Sequence, residues 1–165
     1  MKILVLSDSH SSLRFMRRCI DILKPDTVVH LGDYYDDSET MEEEYPHLVF
    51  HRVPGNCDQH RCSPFTARIL NYPVGGVRLY MTHGHKHNVK YSIDLLLADA
   101  RKGKAQAVLY GHTHIPDCHK EPDGLWVLNP GSCGHACGTA GIIETDGHTI
   151  TDCYLVDQSG LEDLA

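Results

Sequence analysis

Five short groups of polar residues carry the side chains in this chain that are best suited to bind metal ions. In chain order they are Asp8-Ser9-His10, Gly32-Asp33, Gly55-Asn56-Cys57-Asp58, His83-Gly84-His85 and Gly111-His112-Thr113-His114. Mixed aspartate, asparagine and histidine ligands suit manganese, iron, zinc or nickel, whereas sites made only of oxygen suit magnesium or calcium. Each group is a weak signal alone, but five of them in one chain are hard to obtain by chance.

A run of apolar residues precedes each group and predicts a β-strand. The runs are residues 3–6, 27–31, 48–53, 77–81 and 107–110. Because side chains alternate between the two faces of a strand, only residues just past its end can turn together toward one point. Pro54-Gly55 supplies a turn that releases Asn56 from the third strand. We therefore expect the five groups to converge at one rim of an α/β sheet, where such folds place their sites.

Helical patterns lie between these strands. Ser11-Ser12 is placed to cap a helix over Leu13–Leu23, which Pro25 closes. Two further helices are predicted over residues 38–45 and 91–102, the second ended by Gly103.

The chain after His114 has the pattern of β-strands. Apolar runs cover residues 125–128, 140–143 and 149–156, and Asp146-Gly147 between the last two is a strong hairpin signal. This pattern predicts a second, mainly antiparallel sheet that packs on the first.

The motifs resemble those of the calcineurin-like metallophosphoesterases, in particular their small bacterial and archaeal phosphodiesterase branch. The family pattern D-x-H, GD, GN-x-[DE], H and GH-x-H runs from Asp8 to His114, and Asn129-Pro130-Gly131-Ser132 resembles the NPGS turn of that branch. The resemblance covers almost the whole chain. It implies an α/β fold of two packed mixed β-sheets flanked by helices, in one domain over residues 1–165.

The resemblance also implies a set of metal ligands. One divalent ion would be held by Asp8, His10, Asp33 and His114, and a second by Asp33, Asn56, His83 and His112. Asp33 would then bridge two cations roughly 3.5–4 Å apart, the separation that suits in-line displacement at phosphorus. Manganese is the favoured metal, with iron, zinc or nickel as alternatives.

The expected reaction is hydrolysis of a small phosphodiester or phosphomonoester by a hydroxide that bridges the two metals. Asp58 would orient His10 or a neighbouring ligand. Cys57 stands where many superfamily members have a histidine that protonates the leaving group, so activated aryl diesters should react better than alkyl monoesters. His85 is predicted to donate to the phosphate, and an exposed loop histidine is the equal alternative.

Two other classes of function stay open. A metal-free interaction scaffold, like the retromer subunit of the superfamily, would be expected to lose ligand residues, and all seven positions are filled here. A binuclear hydrolase acting on a carbon–oxygen or amide bond would use the same ligands.

Charge and hydrophobicity argue against some classes of function. The chain of 165 residues has a formal charge of −7, which argues against broad nucleic-acid binding. The apolar run near the amino terminus is too short for a signal peptide, and no stretch is long enough to cross a membrane, so a cytoplasmic enzyme is expected. Oligomeric state cannot be read from the sequence, and a homo-oligomer stays open.

Cysteine and histidine are frequent, and most of them are predicted to have no part in the site. The seven cysteines are expected to be reduced, with a zinc knot of Cys133, Cys137, Cys118 and His119 as the alternative. Surface or loop positions are expected for His30, His47, His51, His60, His119, His135 and His148.

Overall fold

The computed structural model describes residues 1–134 and 138–164. The strands in this part of the chain are β1 (Lys2–Leu6), β2 (Thr27–His30), β3 (Val49–Arg52), β4 (Ile69–Val74), β5 (Val77–Thr82), β6 (Ala107–Leu109), β7 (Asp117–Lys120), β8 (Trp126–Asn129), β9 (Thr139–Thr145) and β10 (Ile150–Asp157). The helices are α1 (Leu13–Leu23), α2 (Tyr35–Glu44), α3 (Asp94–Lys102) and α4 (Gln158–Leu164). None of the helices in the described ranges is long and apolar enough to span a bilayer.

The strands form two five-stranded sheets, in the orders β10-β9-β1-β2-β3 and β4-β5-β6-β8-β7. In the first sheet β1, β2 and β3 are parallel, and β9 runs antiparallel to β1. In the second sheet β5, β6 and β8 are parallel, and β4 and β7 are antiparallel edge strands. The predicted α/β fold of two mixed sheets with helices outside is therefore confirmed.

Alternation along the strands divides the core into layers. Leu4 and Leu6 of β1 face the layer of α1, whereas Ile3 and Val5 face the second sheet. This is the period of two that a strand requires when both of its faces are buried. A third apolar cluster packs α3 against the outer face of the second sheet.

The strands after His114 do not form a sheet of their own, so that prediction was wrong. β9 and β10 pair as the expected hairpin, but β9 then joins β1 in the first sheet. β8 instead pairs in parallel with β6 in the second sheet. The local turn signal fixes the hairpin, whereas the choice of sheet depends on pairing between residues distant in sequence.

The remaining differences concern edges and ends. β4 and β7 were missed because edge strands carry polar residues and, in β4, Pro73, which is tolerated only where a ladder hydrogen bond is dispensable. The predicted helix at 91–102 begins only at Asp94, and the one at 38–45 covers Tyr35–Glu44. Helix α1 has the predicted bounds.

Candidate metal centre

The five polar groups all follow parallel strands, and they meet at the same end of the molecule. Three come after β1, β2 and β3 of the first sheet, and two come after β5 and β6 of the second. The rim is therefore shared by two sheets rather than belonging to one. Backbone hydrogen bonds join neighbouring groups: Asp8 N–H donates to the Gly32 carbonyl at 2.9 Å, and Gly111 N–H donates to the His83 carbonyl at 3.1 Å.

Four of the seven predicted ligands form one compact cluster. One ligand atom from each of Asp8, His10, Asp33 and His114 can be chosen so that all lie within 4.8 Å of one another. Asp8 Oδ1 is 3.0 Å from His114 Nε2 and 4.0 Å from His10 Nε2, and the two Nε2 atoms are 3.4 Å apart. Three atoms that could bind a metal ion thus lie around one small volume.

The carboxylate of Asp8 fits a metal ion at this point. Its Oδ2 accepts hydrogen bonds from Ser7 Oγ at 2.5 Å and from His112 N–H at 3.1 Å. Its Oδ1 is buried and has no hydrogen-bond partner in the described ranges. Burial raises the pKa of Asp8 to about 7. A cation beside Oδ1 would supply the missing partner and favour the ionised carboxylate.

The other predicted ligands lie beside Asp33. His83 Nε2 is 3.5 Å from Asp33 Oδ1 and 3.1 Å from Asn56 Oδ1, and the rings of His83 and His112 have centroids 5.0 Å apart. His83 Nδ1 lies 2.7 Å from the Leu31 carbonyl, so it carries the proton and donates it there. The Nε2 lone pair then faces the Asn56 oxygen, an arrangement in which a cation between the two atoms is favourable.

Asp33 stands between the two groups and is held there by backbone. Its Oδ1 accepts a hydrogen bond from Cys57 N–H at 2.9 Å. Burial opposes ionisation of Asp33, but the nearby His83 and the hydrogen bonds from Cys57 bring its pKa below the ordinary value. A buried carboxylate whose ionised form is favoured is suited to bridge two cations at this position.

The backbone of the site adopts conformations that non-glycine residues usually avoid. Five of the seven predicted ligands have positive φ: Asp8 at 54°, His10 at 46°, Asp33 at 54°, His112 at 69° and His114 at 60°. Left-handed backbone at a non-glycine residue costs about 1–3 kcal/mol and is concentrated at functional sites. The fold therefore sustains local strain to bring these side chains together.

Asp58 supports the ligands through the backbone and not through an imidazole. Its Oδ1 accepts hydrogen bonds from the N–H groups of Tyr34 and Tyr35 at 2.7 and 3.0 Å, and its Oδ2 accepts one from Gly55 N–H at 2.6 Å. The residue is buried and ties the Asp33 loop to the Asn56 loop. These bonds are made to the loops that carry Asp33 and Asn56, and the role of Asp58 in orienting a ligand stays a prediction.

His30 is buried in β2, so its predicted surface or loop position was wrong. Its Nε2 lies 3.1 Å from Ser9 Oγ, which donates to Asp37 Oδ2 at 2.6 Å. Asp37 Oδ2 also accepts from Ser11 N–H at 2.8 Å. This chain fixes the turn that carries Asp8 and His10. Two sequence signals could have indicated it: His30 interrupts an apolar strand, and Ser9 lies between two ligands.

The other histidines that were expected at the surface or in loops have mixed outcomes. His51 lies half-buried in β3, where its Nδ1 is 2.9 Å from the hydroxyl of Tyr72. His47, His60 and His148 are exposed, as predicted, His119 is half-buried on the edge strand β7, and His135 lies outside the described residues.

The NPGS turn at the end of β8 makes hydrogen bonds to two of the loops that carry predicted ligands. Asn129 Nδ2 donates to the Gly111 carbonyl at 3.2 Å and to Thr113 Oγ1 at 2.9 Å. Ser132 Oγ donates to the Asp8 carbonyl at 2.8 Å. The turn therefore fixes the loops that carry the first and last ligands.

The two predicted proton donors occupy different surroundings. The ring of His85 lies 5.4 Å from that of His83 and 6.1 Å from that of His112, and its buried Nδ1 has no hydrogen-bond partner in the described ranges. Cys57 is exposed beside Asn56, and partial desolvation together with the charge of Asp33 raises the pKa of its thiol to about 11. Its thiol therefore stays protonated near neutral pH.

The cysteines of the alternative zinc knot belong to different parts of the core. Cys133 lies in the cluster beneath α1, whereas Cys118 packs against the cluster between the sheets. Cys137 lies outside the described residues.

Comparisons with known proteins place this chain among its relatives. A phosphodiesterase of Methanocaldococcus jannaschii is 29% identical to this chain over 163 residues, which cover 88% of this chain and 94% of that protein. The solved structure of a predicted phosphoesterase from Streptococcus pneumoniae has a TM-score of 0.69 at 24% identity, over 95% of this chain and 97% of that chain. Vps29 from Entamoeba histolytica, solved in complex with zinc, has a TM-score of 0.74 at 19% identity, over 95% of this chain and 99% of that chain.

Both solved structures are less than 25% identical to this chain, so they show a shared fold alone. The decisive comparison is the family model of the calcineurin-like phosphoesterase superfamily domain, which matches residues 1–148. A match over most of the chain, on the strands and loops that carry the site, shows that this protein belongs to the calcineurin-like phosphoesterase superfamily.

Proposed function

We propose that this protein is a dinuclear metal-dependent phosphodiesterase. The observation that carries the proposal is the position of Asp33, whose carboxylate lies in the cluster of Asp8, His10 and His114 and is also 3.5 Å from His83 Nε2. A side chain shared by two groups of ligands is what a pair of cations requires. The curated relative named a phosphodiesterase, which matches nearly the whole chain, supports the substrate class.

Two divalent cations, when bound here, would supply a bridging hydroxide as nucleophile and neutralise charge on the phosphoryl oxygens. Ligand type favours manganese, with iron, zinc or nickel as alternatives. The protein contributes preorganisation: His83 is fixed in the tautomer that leaves Nε2 free, and Asp58 holds the loops of Asp33 and Asn56 in register. Asn129 and Ser132 hold the loops that carry His112, His114 and Asp8.

Protonation of the leaving group distinguishes good substrates from poor ones. Near neutral pH the Cys57 thiol holds its proton, and with a pKa of about 11 it is a weak acid toward an alkoxide. Burial lowers the pKa of His85, which therefore carries no extra proton for transfer near neutrality. We infer that small phosphodiesters with acidic leaving groups, such as aryl esters, react faster than alkyl monoesters.

The deciding experiment is hydrolysis of bis(p-nitrophenyl) phosphate by metal-stripped protein that is re-supplied with manganese, zinc, nickel or magnesium in turn. We expect turnover that depends on the metal, and metal analysis that gives two ions per chain. Asp33→Asn should lower kcat by about 100-fold or more, because it weakens a ligand shared by both ions. Asp123→Asn, on the exposed ion pair with Arg101, is the matched control and should retain activity.

Other outcomes would support different functions. Folded protein that binds two ions but hydrolyses no phosphodiester would favour a hydrolase for carbon–oxygen or amide bonds, to be tested with lactones and thioesters. Folded protein that binds no ion would favour the interaction scaffold.

A further inference from the structure

A pair of cysteines joins the two sheets at one side of the molecule. Cys118 lies on β7, the edge strand of the second sheet, and Cys153 lies on β10, the edge strand of the first. Their sulfur atoms are 3.5 Å apart, and the Cys118 thiol donates a hydrogen bond to the Cys153 carbonyl at 3.3 Å. Neither cysteine is among the predicted metal ligands.

The two thiols differ in access to solvent. Cys118 is half-buried, so a small reagent can reach it, whereas Cys153 is 7% exposed and lies behind it. Cys19 and Cys133, by contrast, are fully buried in the core beneath α1. Among the cysteines in the described ranges, Cys118 and Cys153 thus combine a sulfur–sulfur contact with an accessible partner.

The thiols also differ in reactivity. Contact with the Cys153 side chain lowers the pKa of Cys118, while contact with Cys118, together with burial, raises the pKa of Cys153. The thiolate is the nucleophilic form of cysteine, and Cys118 is also the more accessible of the two sulfurs, so Cys118 attacks first. Cys153 is then positioned as the resolving thiol.

We propose that Cys118 and Cys153 form a redox-modification site that closes to an intramolecular disulfide on reaction with a small disulfide such as oxidised glutathione. The Cys118 thiolate attacks one sulfur of the oxidant, which forms a mixed disulfide and releases one thiolate. Cys153, losing its proton, attacks the sulfur of Cys118 and releases the second thiolate. Two protein thiols lose two electrons and two protons, and the oxidant leaves as two thiols.

Closure requires only a local movement. The sulfur atoms must approach from 3.5 Å to about 2.05 Å, and the edge strands that carry them are already in contact. The disulfide would link positions 35 residues apart in sequence and bind one sheet edge to the other. Such a link stabilises the folded protein chiefly by restricting the unfolded chain.

The test uses the whole chain of 165 residues with Cys57, Cys62 and Cys137 replaced by serine, which removes the exposed thiol, a second half-buried thiol and the one outside the described residues. The folded protein is incubated with oxidised glutathione, and free thiols are then alkylated in denaturant. We expect two alkylated cysteines instead of four, a loss of two hydrogens in the intact mass, and a cross-linked peptide that joins Cys118 to Cys153. The midpoint of thermal unfolding should rise by roughly 5–10 °C.

Single variants distinguish the proposed order of reaction. Cys153→Ser should stop at a mixed disulfide on Cys118, and Cys118→Ser should form neither product; both should retain the thermal midpoint of the reduced parent after oxidation. Four alkylated cysteines in the oxidised background protein, or a mixed disulfide that persists on Cys118 while Cys153 is intact, would overturn the proposal. The readouts need no substrate or metal, so they are independent of the proposed phosphodiesterase activity.

Discussion

Cys57 has two separate roles, one through its backbone N–H and one through its side chain. Its backbone N–H holds Asp33 Oδ1 at 2.9 Å, and any residue other than proline can make that bond. Its side chain is exposed next to Asn56, and under the proposed mechanism this is the position from which a residue would protonate the leaving oxygen. A thiol with a pKa of about 11 transfers its proton poorly to an alkoxide. The identity of this side chain should therefore set substrate preference without altering the ligands.

We predict that Cys57→His raises turnover of p-nitrophenyl phosphate relative to bis(p-nitrophenyl) phosphate by about 10-fold to 100-fold, because an imidazole is a stronger general acid near neutrality. The measurement is kcat for both substrates, with metal content determined in parallel. Cys62→His, in the same loop, is the control and should leave the ratio unchanged. An unaltered ratio in Cys57→His, with two ions still bound, would show that the leaving group needs no acid at this position.

The glycines that follow the strand ends determine how closely the ligand loops approach one another. A Cβ atom built on Gly55 would lie 2.1 Å from Asp33 Oδ1, and one built on Gly111 would lie 2.0 Å from Ser7 Oγ and 2.8 Å from Asp8 Oδ2. Neither position has room for a side chain. The glycine of each motif was expected from the sequence only as a residue that permits a bend. In the structure these two glycines also provide the space that the carboxylates of Asp8 and Asp33 occupy.

We predict that Gly55→Ala lowers metal affinity by about 10-fold or more, because the added methyl group displaces the Asp33 carboxylate from its position between the two ligand groups. Gly160→Ala in helix α4 is the control, since its Cβ would meet its nearest neighbour only at 3.1 Å and alanine is the better helix former. Calorimetric titration of metal-free protein with manganese measures the effect. Equal affinities in the two variants would contradict the assignment of Asp33 as a shared ligand.

Buried ionisable groups beneath the site make the stability of the whole molecule depend on pH. Burial lowers the pKa of His30 to about 4 from an ordinary value of 6.5, so the folded protein keeps this histidine neutral. Below pH 6.5 the unfolded chain binds a proton at His30 that the folded chain does not, and stability falls until pH 4. Asp8, with its pKa raised by burial to about 7, acts in the opposite direction in metal-free protein. Only a comparison of variants separates the two.

We predict that His30 contributes about 2 kcal/mol to the loss of unfolding free energy between pH 7.5 and pH 5. Replacement by glutamine, although destabilising at both pH values, should reduce the difference between them by that amount. Urea unfolding at the two pH values, with metal removed, gives the measurement. His148→Gln, at an exposed turn, should keep the pH dependence of the parent. The same pH dependence in His30→Gln as in the parent would show that His30 is protonated in the folded state.

The sequence by itself determined the candidate ligand groups, the strands that precede them and the helix over Leu13–Leu23. These features depend on local patterns: strand alternation, turn residues directly after a strand, and apolar spacing along one helix face. The hairpin at Asp146-Gly147 is of the same kind. For this reason the α/β fold class and the positions of the motifs could be predicted from the sequence alone.

Only the tertiary structure decided which sheet each late strand joins and what supports the ligands. The pairing of β9 with β1, and of β8 with β6, is made between residues far apart in the chain, and a local pattern does not specify the partner. The same holds for the bond from His30 to Ser9 and for the contact of Cys118 with Cys153. No local sequence pattern marks these residues, because each of them acts through a contact with a residue from a distant segment of the chain.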